Sequence, residues 1–297
     1  MHQLGRKIFA SAMLCVASIG YTHELPTTAE VMESLQASDW RKPEPARLVY
    51  MQLADGVVVM ELATDFAPKN IANIQTLVRE KYFDDLAIIR SQDNYVVQWA
   101  DPASDEQQAK SLGSAKSTVT PEFQQAADEL EIARIDSRDA YADIVGFAAG
   151  FPVASNGEQT WLAHCYGMVG VARGNASDSG NGSSLYVITG HAPRHLDRNI
   201  TLVGRVLSGM QLLSVLPRGT GPLGFYESEA EYTPIVSIRM GDEVAAETRI
   251  NLEVMRTDSE AFAAYVASRT FRNEEWFVEA TGRIELCNII PPVRIVD

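Results

Sequence analysis

Short apolar runs separated by turn residues make up much of the chain. Residues 48–53 and 57–62 are rich in Val, Leu and Met and flank the pair Asp55-Gly56, which is the pattern of a β-hairpin. Apolar residues then recur at helical spacing in residues 68–80, behind a proline at the first position. This segment is therefore predicted to form an amphipathic helix.

Further short strands are predicted along the rest of the chain, separated by clusters of Gly, Asn, Asp and Pro. A second short helix is predicted over residues 209–216. Many short strands with few helices are typical of an antiparallel barrel or sandwich, so the chain is predicted to be mainly β. The further strands are predicted at residues 86–90, 95–98, 168–172, 185–189, 201–206 and 235–240.

Residues 103–163 interrupt this rhythm of strands. They are polar, with Ser-rich and Gln-rich patches, and a structureless stretch of that length is unusual inside a barrel. We therefore predict a large insertion that is partly helical around residues 121–130. It divides a barrel domain that spans residues 46–240.

A C-terminal α/β extension is predicted over residues 241–297. Residues 250–254 alternate between apolar and polar types, as in a strand. Thr257 and Glu260 have the spacing of a capping box, which predicts that a helix begins there.

The first twenty residues differ from the rest of the chain. Arg6 and Lys7 precede an apolar run over residues 8–20 that is too short to span a bilayer. A basic start followed by a short apolar run is the pattern of a secretory signal peptide, so we predict a signal peptide at residues 1–20 and a periplasmic or secreted protein. The alternative is a buried first helix. Residues 21–45 are predicted to be an N-terminal lead-in with one short helix.

The net charge limits the partners of this chain. It contains 39 acidic and 25 basic residues, which give a formal charge of −14. A surface this negative repels phosphate backbones and anionic membranes, so we expect no nucleic-acid partner and no membrane anchor. Loss of residues 1–20 would remove two basic residues and no acidic one.

The cysteines leave two interpretations open. Three are present, and only Cys165 and Cys287 would remain after cleavage of the signal peptide. An oxidising compartment would permit a disulfide between them. Two separate buried thiols are equally compatible with the sequence.

Motifs of the common active sites are absent from the chain. It has no nucleophile elbow, phosphate-binding loop, dinucleotide fingerprint or zinc-protease helix. His164, Cys165, His191 and His195 are residue types that bind zinc, but their spacing is irregular. We therefore expect neither a metal nor a cofactor.

An ordered series of short motifs resembles the cyclophilin family of peptidyl-prolyl isomerases. It begins with the hairpin and with Ala-Pro-Lys-Asn at residues 67–70, and it covers residues 46–102 and 164–240 on either side of the insertion. The resemblance implies a closed eight-stranded antiparallel barrel with two capping helices. The motifs that follow are Lys-Tyr-Phe-Asp (81–84), Ile-Ile-Arg (88–90), Tyr-Val-Val-Gln-Trp-Ala-Asp-Pro (95–102), Gly-Ser-Ser-Leu-Tyr-Val (182–187), Leu-Asp (196–197) and Val-Gly-Arg-Val-Leu-Ser-Gly-Met (203–210).

The resemblance also implies a catalytic arginine, Arg90, assisted by Gln98. Rotation about an X-Pro amide has a barrier of roughly 18–20 kcal/mol because resonance is lost. A guanidinium that donates a hydrogen bond to the prolyl nitrogen would lower this barrier, and Gln98 would hold the substrate carbonyl or the arginine. Without the family pattern, Arg90 would be interpreted as part of a surface ion pair. The implied substrate-binding residues are Tyr95, Val96, Ala172, Arg173, Ser184, Tyr186 and Leu196.

Several motif positions depart from the family pattern, mainly around the proline pocket. We therefore expect a weak or narrowed prolyl isomerase that acts on proline-containing peptides and on unfolded exported client proteins. The alternative is a non-catalytic proline-peptide-binding or chaperone module on the same barrel. The departures are tyrosine for phenylalanine at Tyr95 and Tyr186, Val96 for methionine, Ser184-Leu185 for Gln-Phe, His195 for an aromatic residue, Ile200 for histidine, and Arg173 for a small polar residue.

Overall fold

The computed structural model describes residues 25–103 and 108–296. The predicted signal peptide at residues 1–20 lies outside the described residues. Among these residues, none of the helices combines the length and the hydrophobicity that a membrane span requires.

Four helices and seventeen strands are present in the described residues. The predicted hairpin, the two predicted helices and the six further predicted strands are confirmed, with small shifts at their ends. The helices are α1 Thr28–Ser34, α2 Pro68–Arg79, α3 Met210–Ser214 and α4 Glu260–Phe271. The strands are β1 Trp40–Arg41, β2 Leu48–Leu53, β3 Gly56–Leu62, β4 Ala87–Ser91, β5 Val96–Ala100, β6 Gln125–Ala126, β7 Ala133–Arg134, β8 Ile144–Ala148, β9 Phe151–Ser155, β10 Gln159–Leu162, β11 Met168–Val171, β12 Leu185–Ile188, β13 Leu202–Ser208, β14 Thr233–Pro234, β15 Ser237–Met240, β16 Leu252–Met255 and β17 Val293–Ile295.

A curled, antiparallel nine-stranded sheet, here called the main sheet, forms the centre of the molecule. Its strand order is β14-β4-β5-β12-β11-β13-β3-β2-β15. Side chains alternate along each strand, and the inner face carries an apolar core in which Trp99 and Val187 are fully buried. Helix α2 packs its apolar side, including Ile74 and Leu77, against this core. The mainly β fold with few helices is therefore confirmed.

The two edge strands of the main sheet, β14 and β15, follow each other in the chain. Between them, the Ile235 N–H donates to the Leu86 carbonyl at 2.9 Å, and the Val236 N–H donates to the Gln52 carbonyl at 2.9 Å. The predicted closed eight-stranded barrel is not confirmed, because this sheet has nine strands and its ladders end at β14 and β15. The break arises where the chain changes hydrogen-bonding partner from β4 to β2.

The insertion forms a second antiparallel sheet with the strand order β6-β10-β9-β8-β7. Its buried side chains, such as Phe147 and Trp161, join Val96 and Tyr186 of the main sheet in one apolar cluster. The prediction of helix around residues 121–130 is wrong, because these residues contain β6 and a single 3-10 turn. The sequence did not predict this sheet, because the first half of the insertion is polar and the apolar strands come later in the segment.

The two chain ends outside the main sheet pack together. Strands β1, β16 and β17 form a three-stranded sheet, and α1 packs on α4. The predicted lead-in helix and the C-terminal strand and helix are confirmed, but Thr257 does not cap α4. The cap is Ser259, whose Oγ accepts the Phe262 N–H at 3.1 Å, whereas the Thr257 hydroxyl accepts the Gly150 N–H at 3.1 Å.

Covalent and ionic links join these chain ends to the main sheet. Cys165 and Cys287 form a disulfide with their Cα atoms 4.9 Å apart, which decides between the two interpretations left open by the sequence. Glu61 on β3 is buried and accepts hydrogen bonds from Arg41 at 2.9 Å and Arg205 at 3.0 Å. Burial alone would raise the pKa of Glu61, but the two arginines lower it overall, so this carboxylate stays charged.

Candidate active site

A bulge in β4 sets the direction of Arg90. Ile88 pairs with Trp99, whereas Arg90 pairs with Gln98, so Ile89 is an extra residue in this strand. Regular alternation would place Arg90 on the same face as the buried Ile88. The extra residue instead places Arg90 on the outer face of the main sheet, together with Gln98.

Three candidate residues and Gly170 lie in one row across β4, β5, β12 and β11. Arg90 pairs with Gln98, Gln98 pairs with Tyr186, and Tyr186 pairs with Gly170. A Cβ atom on Gly170 would lie 2.3 Å from the Tyr186 ring. The absence of a side chain at Gly170 therefore gives the tyrosine ring room to lie over β11.

Arg90 is held by three acceptors. Its Nε donates to the Leu223 carbonyl at 2.8 Å, one terminal nitrogen donates to Gln98 Oε1 at 2.9 Å, and the other donates to Gln92 Oε1. A guanidinium has five N–H groups, so two remain for another partner. The arginine is fixed in orientation and still able to donate.

Aromatic rings flank the same guanidinium. Its central carbon lies 5.8 Å from the ring centroid of Tyr95 and 5.1 Å from that of Phe225, within the range of cation–π contacts. Burial lowers the pKa of Arg90, and the hydroxyls of Tyr95 and Tyr186 oppose this change. Because the ordinary pKa of arginine lies far above neutrality, Arg90 remains a cation.

Gln98 links Arg90 to β12. Its side-chain oxygen accepts from Arg90, so its amide nitrogen is directed the other way and donates to Ser184 Oγ at 3.0 Å. The Ala172 N–H donates to the Ser184 carbonyl at 3.0 Å, so Ala172 lies opposite Ser184, just past the end of β11. The structure thus places Ser184 beside Gln98, and Ala172 beside Ser184.

The predicted apolar pocket residues form a wall that is partly closed. Val96 and Tyr186 are buried, whereas Tyr95 and Leu196 are partly exposed. The Tyr95 ring stacks on His195, with 6.3 Å between centroids and 9° between planes, and Leu196 follows His195 in a 3-10 turn. Tyr95 also lies against the Arg90 guanidinium, so this wall adjoins the catalytic candidate.

Arg173 is directed away from the other predicted site residues. Its Nε donates to the Asn199 carbonyl at 2.9 Å, and a terminal nitrogen donates to the Gly174 carbonyl at 2.8 Å. The Arg173 side chain therefore supports a loop beside the site, and only the Arg173 backbone, which follows Ala172 in the chain, remains near the row.

Three residues around Arg90 were missed by sequence reasoning: Gln92, Leu223 and Phe225. Gln92 carries a weak signal, since residues two apart in a strand share a face. Leu223 and Phe225 come from a loop 133 or more residues further along the chain, joined to β4 by a bridge between Arg90 and Phe225. No local pattern indicates that contact.

The residues weighed as zinc ligands do not assemble. Within residues 25–103 and 108–296, no group of three or more His, Cys, Asp or Glu side chains is arranged to hold a metal ion. Cys165 is in the disulfide, and the buried His164 is bonded to Asp197 and Tyr186.

Comparisons with known proteins agree with this geometry. Residues 48–239 match the family model described as cyclophilin type peptidyl-prolyl cis-trans isomerase/CLD. A probable peptidyl-prolyl cis-trans isomerase of Brucella suis is 26% identical over 179 residues, which are 60% of this chain and 74% of that protein. Peptidyl-prolyl cis-trans isomerase-like 1 of Gibberella zeae is 26% identical over 196 residues, 66% of this chain and 95% of that protein.

A solved structure extends the similarity beyond the family segment. The cyclophilin AquaCyp293 from Hirschia baltica is 26% identical with a TM-score of 0.66, and the match covers 89% of this chain and 96% of that one. The family model itself covers well over half of this chain and includes the row from Arg90 to Gly170. The chain therefore belongs to the cyclophilin-type peptidyl-prolyl cis–trans isomerases.

Proposed function

We propose that this isomerase assists the folding of exported proteins and that Arg90 is its catalytic residue. As an X-Pro amide twists, the prolyl nitrogen loses conjugation and its lone pair becomes able to accept a hydrogen bond. A donor that is already oriented and charged stabilises this twisted state more than the planar ground state. Arg90 is the group in the row that combines both properties.

The observation that carries the proposal is the fixed orientation of the Arg90 guanidinium. Leu223, Gln98 and Gln92 each accept one of its hydrogens, and the two remaining N–H groups are free to reach a substrate. Because the group is partly buried between two aromatic rings, its charge is less screened by water.

The proposed substrate site extends from Arg90 along the row. The proline ring would lie against Tyr95, Val96, Tyr186 and Leu196, while the peptide backbone would follow Ala172, Arg173 and Ser184. The Gln98 amide nitrogen already donates to Ser184, so a substrate carbonyl must share or replace that bond. This competition supports the expectation of a weak or narrowed activity.

Export is supported by two features of the chain. Residues 1–20 have the composition of a signal peptide, and Cys165 pairs with Cys287, which is the state that an oxidising compartment maintains. We propose a periplasmic or secreted isomerase whose partners are proline-containing segments of unfolded client proteins. Fractionation of cells that express the full chain should recover a protein shortened at its N-terminus outside the cytoplasm, whereas an uncleaved cytoplasmic product would contradict export.

We also propose that the main sheet closes into an eight-stranded barrel in the folded protein. The segment that contains β14 and β15 hydrogen-bonds to β4 through its first half and to β2 through its second half. Counted as one strand, it would join the two edges of the sheet. Such closure would hold β4, and therefore Arg90, in a fixed position.

The test of catalysis is a peptide isomerisation assay on the mature chain and two arginine variants. Arg90→Ala should reduce kcat/KM by about a hundredfold or more, the loss expected for one oriented donor. Arg79→Ala is the matched control, because it removes an exposed ion pair with Asp242 remote from the row. Equal rates for Arg90→Ala and the wild type would overturn the catalytic role. Proline-peptide binding by the wild type without acceleration of exchange would instead favour the non-catalytic alternative.

A further inference from the structure

A chain of buried polar side chains runs from the floor of the proposed pocket into the insertion. Tyr186 OH lies 3.1 Å from His164 Nε2, His164 Nδ1 lies 2.9 Å from Asp197 Oδ1, and Arg194 Nε donates to Asp197 at 2.6 Å. Arg194 also donates to both oxygens of Asp139, at 2.7 and 3.1 Å. None of these five residues has a side chain more than 5% exposed.

The hydrogen bonds of Asp197 determine which nitrogen of His164 carries the proton. Burial alone would raise the pKa of Asp197, but the His164 hydrogen bond and the Arg194 charge lower it overall, so Asp197 is a carboxylate. It also accepts from the His164 backbone N–H at 3.0 Å and from Trp161 Nε1 at 3.1 Å. A carboxylate only accepts, so the proton of the neutral imidazole lies on Nδ1.

This tautomer makes His164 Nε2 an acceptor. The neighbouring Tyr186 hydroxyl must then be the donor, and two contacts hold the hydroxyl end of the ring. The hydroxyl donates to His164, and the ring carbon that carries it lies beside Gly170, where a Cβ atom would be 2.3 Å away. Tyr186 is also the register partner of Gln98, which holds Arg90.

We infer that His164 is a positioning residue for the isomerase: it fixes the Tyr186 ring, the floor of the proline pocket, by accepting the tyrosine hydroxyl. Asp197 and Arg194 hold His164, and Asp139 anchors the series in the insertion. The inference rests on the proposed function, because it assumes that Tyr186 contacts substrate.

The arrangement has a consequence for pH dependence. Protonated imidazole has no acceptor, so acidification would turn His164 Nε2 into a donor and leave the Tyr186 hydroxyl hydrogen without a partner. Burial lowers the pKa of His164, with Asp197 opposing and Arg194 and His195 reinforcing this change. The positioning contact is therefore intact at neutral pH and is lost as the pH falls below the ordinary histidine range.

The charged and titratable groups around His164 are few. Asp197, Arg194 and His195 face it from the segment after β12, and Tyr186 faces it from β12 itself. Cys165, the next residue along the chain, is in the disulfide and does not titrate. The Tyr186 hydroxyl itself stays protonated, because burial raises its pKa far above neutrality.

The experiment compares kcat/KM of the wild type and Tyr186→Phe from about pH 8 to about pH 4, which reaches below the ordinary histidine range because burial lowers the pKa of His164. We expect the wild type to lose on the order of tenfold over this range, as for one broken buried hydrogen bond, and the ratio of wild type to Tyr186→Phe to fall by the same factor. The exposed His195 is present in both proteins, so its effect cancels in the ratio. Tyr166→Phe, which removes a partly exposed hydroxyl, is the matched control and should follow the wild-type profile.

A second variant separates positioning from folding. His164→Gln supplies a carbonyl acceptor that does not titrate, so it should retain activity and lose the pH dependence. A ratio of wild type to Tyr186→Phe that is constant with pH would overturn the inference, even if His164→Gln does not fold. Arg90→Ala is measured alongside: if it is inactive while that ratio is constant, only the positioning role fails, whereas an active Arg90→Ala refutes the proposed catalytic function itself.

Discussion

Removal of the Cys165–Cys287 disulfide should destabilise the folded protein strongly. The bond joins the segment before β11 to the 3-10 turn around Leu286 and links residues that are 122 apart in sequence. Its main effect on stability is expected through the unfolded chain, because a cross-link removes the conformations in which its two ends are far apart.

The size of this effect follows from the length of the loop that the disulfide closes. The loop-closure relation for a separation of 122 residues gives an entropy of about 16 cal/mol/K, which corresponds to about 5 kcal/mol at 25 °C. Removal of natural disulfides from small secreted domains typically costs about 2–5 kcal/mol, so we expect a loss of about 3–5 kcal/mol here. Leu286 and Ile289 are buried near the disulfide and should keep the C-terminal extension packed on the rest of the protein at low denaturant concentration.

The assay is urea unfolding followed by tryptophan fluorescence, with and without a thiol reductant. The wild type should show a clearly lower midpoint in reductant, and a Cys165→Ser, Cys287→Ser double variant should have the low midpoint under both conditions. Equal midpoints for the oxidised wild type and the double variant would refute the loop-closure reasoning. A reductant effect on the double variant would show that the reductant acts elsewhere.

Two further substitutions test a buried ion pair and a close contact at the site. Glu61→Gln should lower the free energy of unfolding by about 3–5 kcal/mol in urea titrations, because it leaves buried arginine charge uncompensated. Asp258→Asn removes an exposed ion pair with Arg256 and should lower it by less than about 1 kcal/mol, so similar losses for both variants would contradict this reasoning. Gly170→Ala should reduce kcat/KM at least tenfold in the peptide assay with the far-UV spectrum retained, because its Cβ would lie 2.3 Å from the Tyr186 ring, while Gly174→Ala, whose nearest neighbour is 3.5 Å away, should have no effect. A fully active Gly170→Ala would mean that the Tyr186 ring position is unimportant.

Local patterns predicted most of the secondary structure. The hairpin of β2 and β3, helix α2 and the strands of the main sheet each have a periodicity that is visible within ten residues. The insertion is the exception, because its apolar strands follow a polar segment in which apolar residues show no regular spacing. Its sheet is stable because Phe147 and Trp161 pack on the outer face of the main sheet, a partner that lies outside the segment.

The candidate site was predicted as a set of residues but not as an arrangement. The order of the motifs assigns Arg90, Gln98 and Tyr186 to one site, and strand pairing places them in one row. Arg173 was predicted within that set, yet its side chain bonds to the Asn199 carbonyl instead. Side-chain direction depends on the available acceptors, which a motif does not specify.

By itself, the sequence determined the family, the order of strands and helices outside the insertion, and the chemical identity of the groups at the site, because these depend on residue type and short-range periodicity. Only the tertiary structure decided that Arg90 points outward, since one extra residue in β4 reverses its face. It alone also joined Leu223 to Arg90, Cys165 to Cys287, and His164 to Tyr186. Those contacts form between residues that are far apart in sequence. Packing of the complete fold brings such residues together, and local sequence preferences do not.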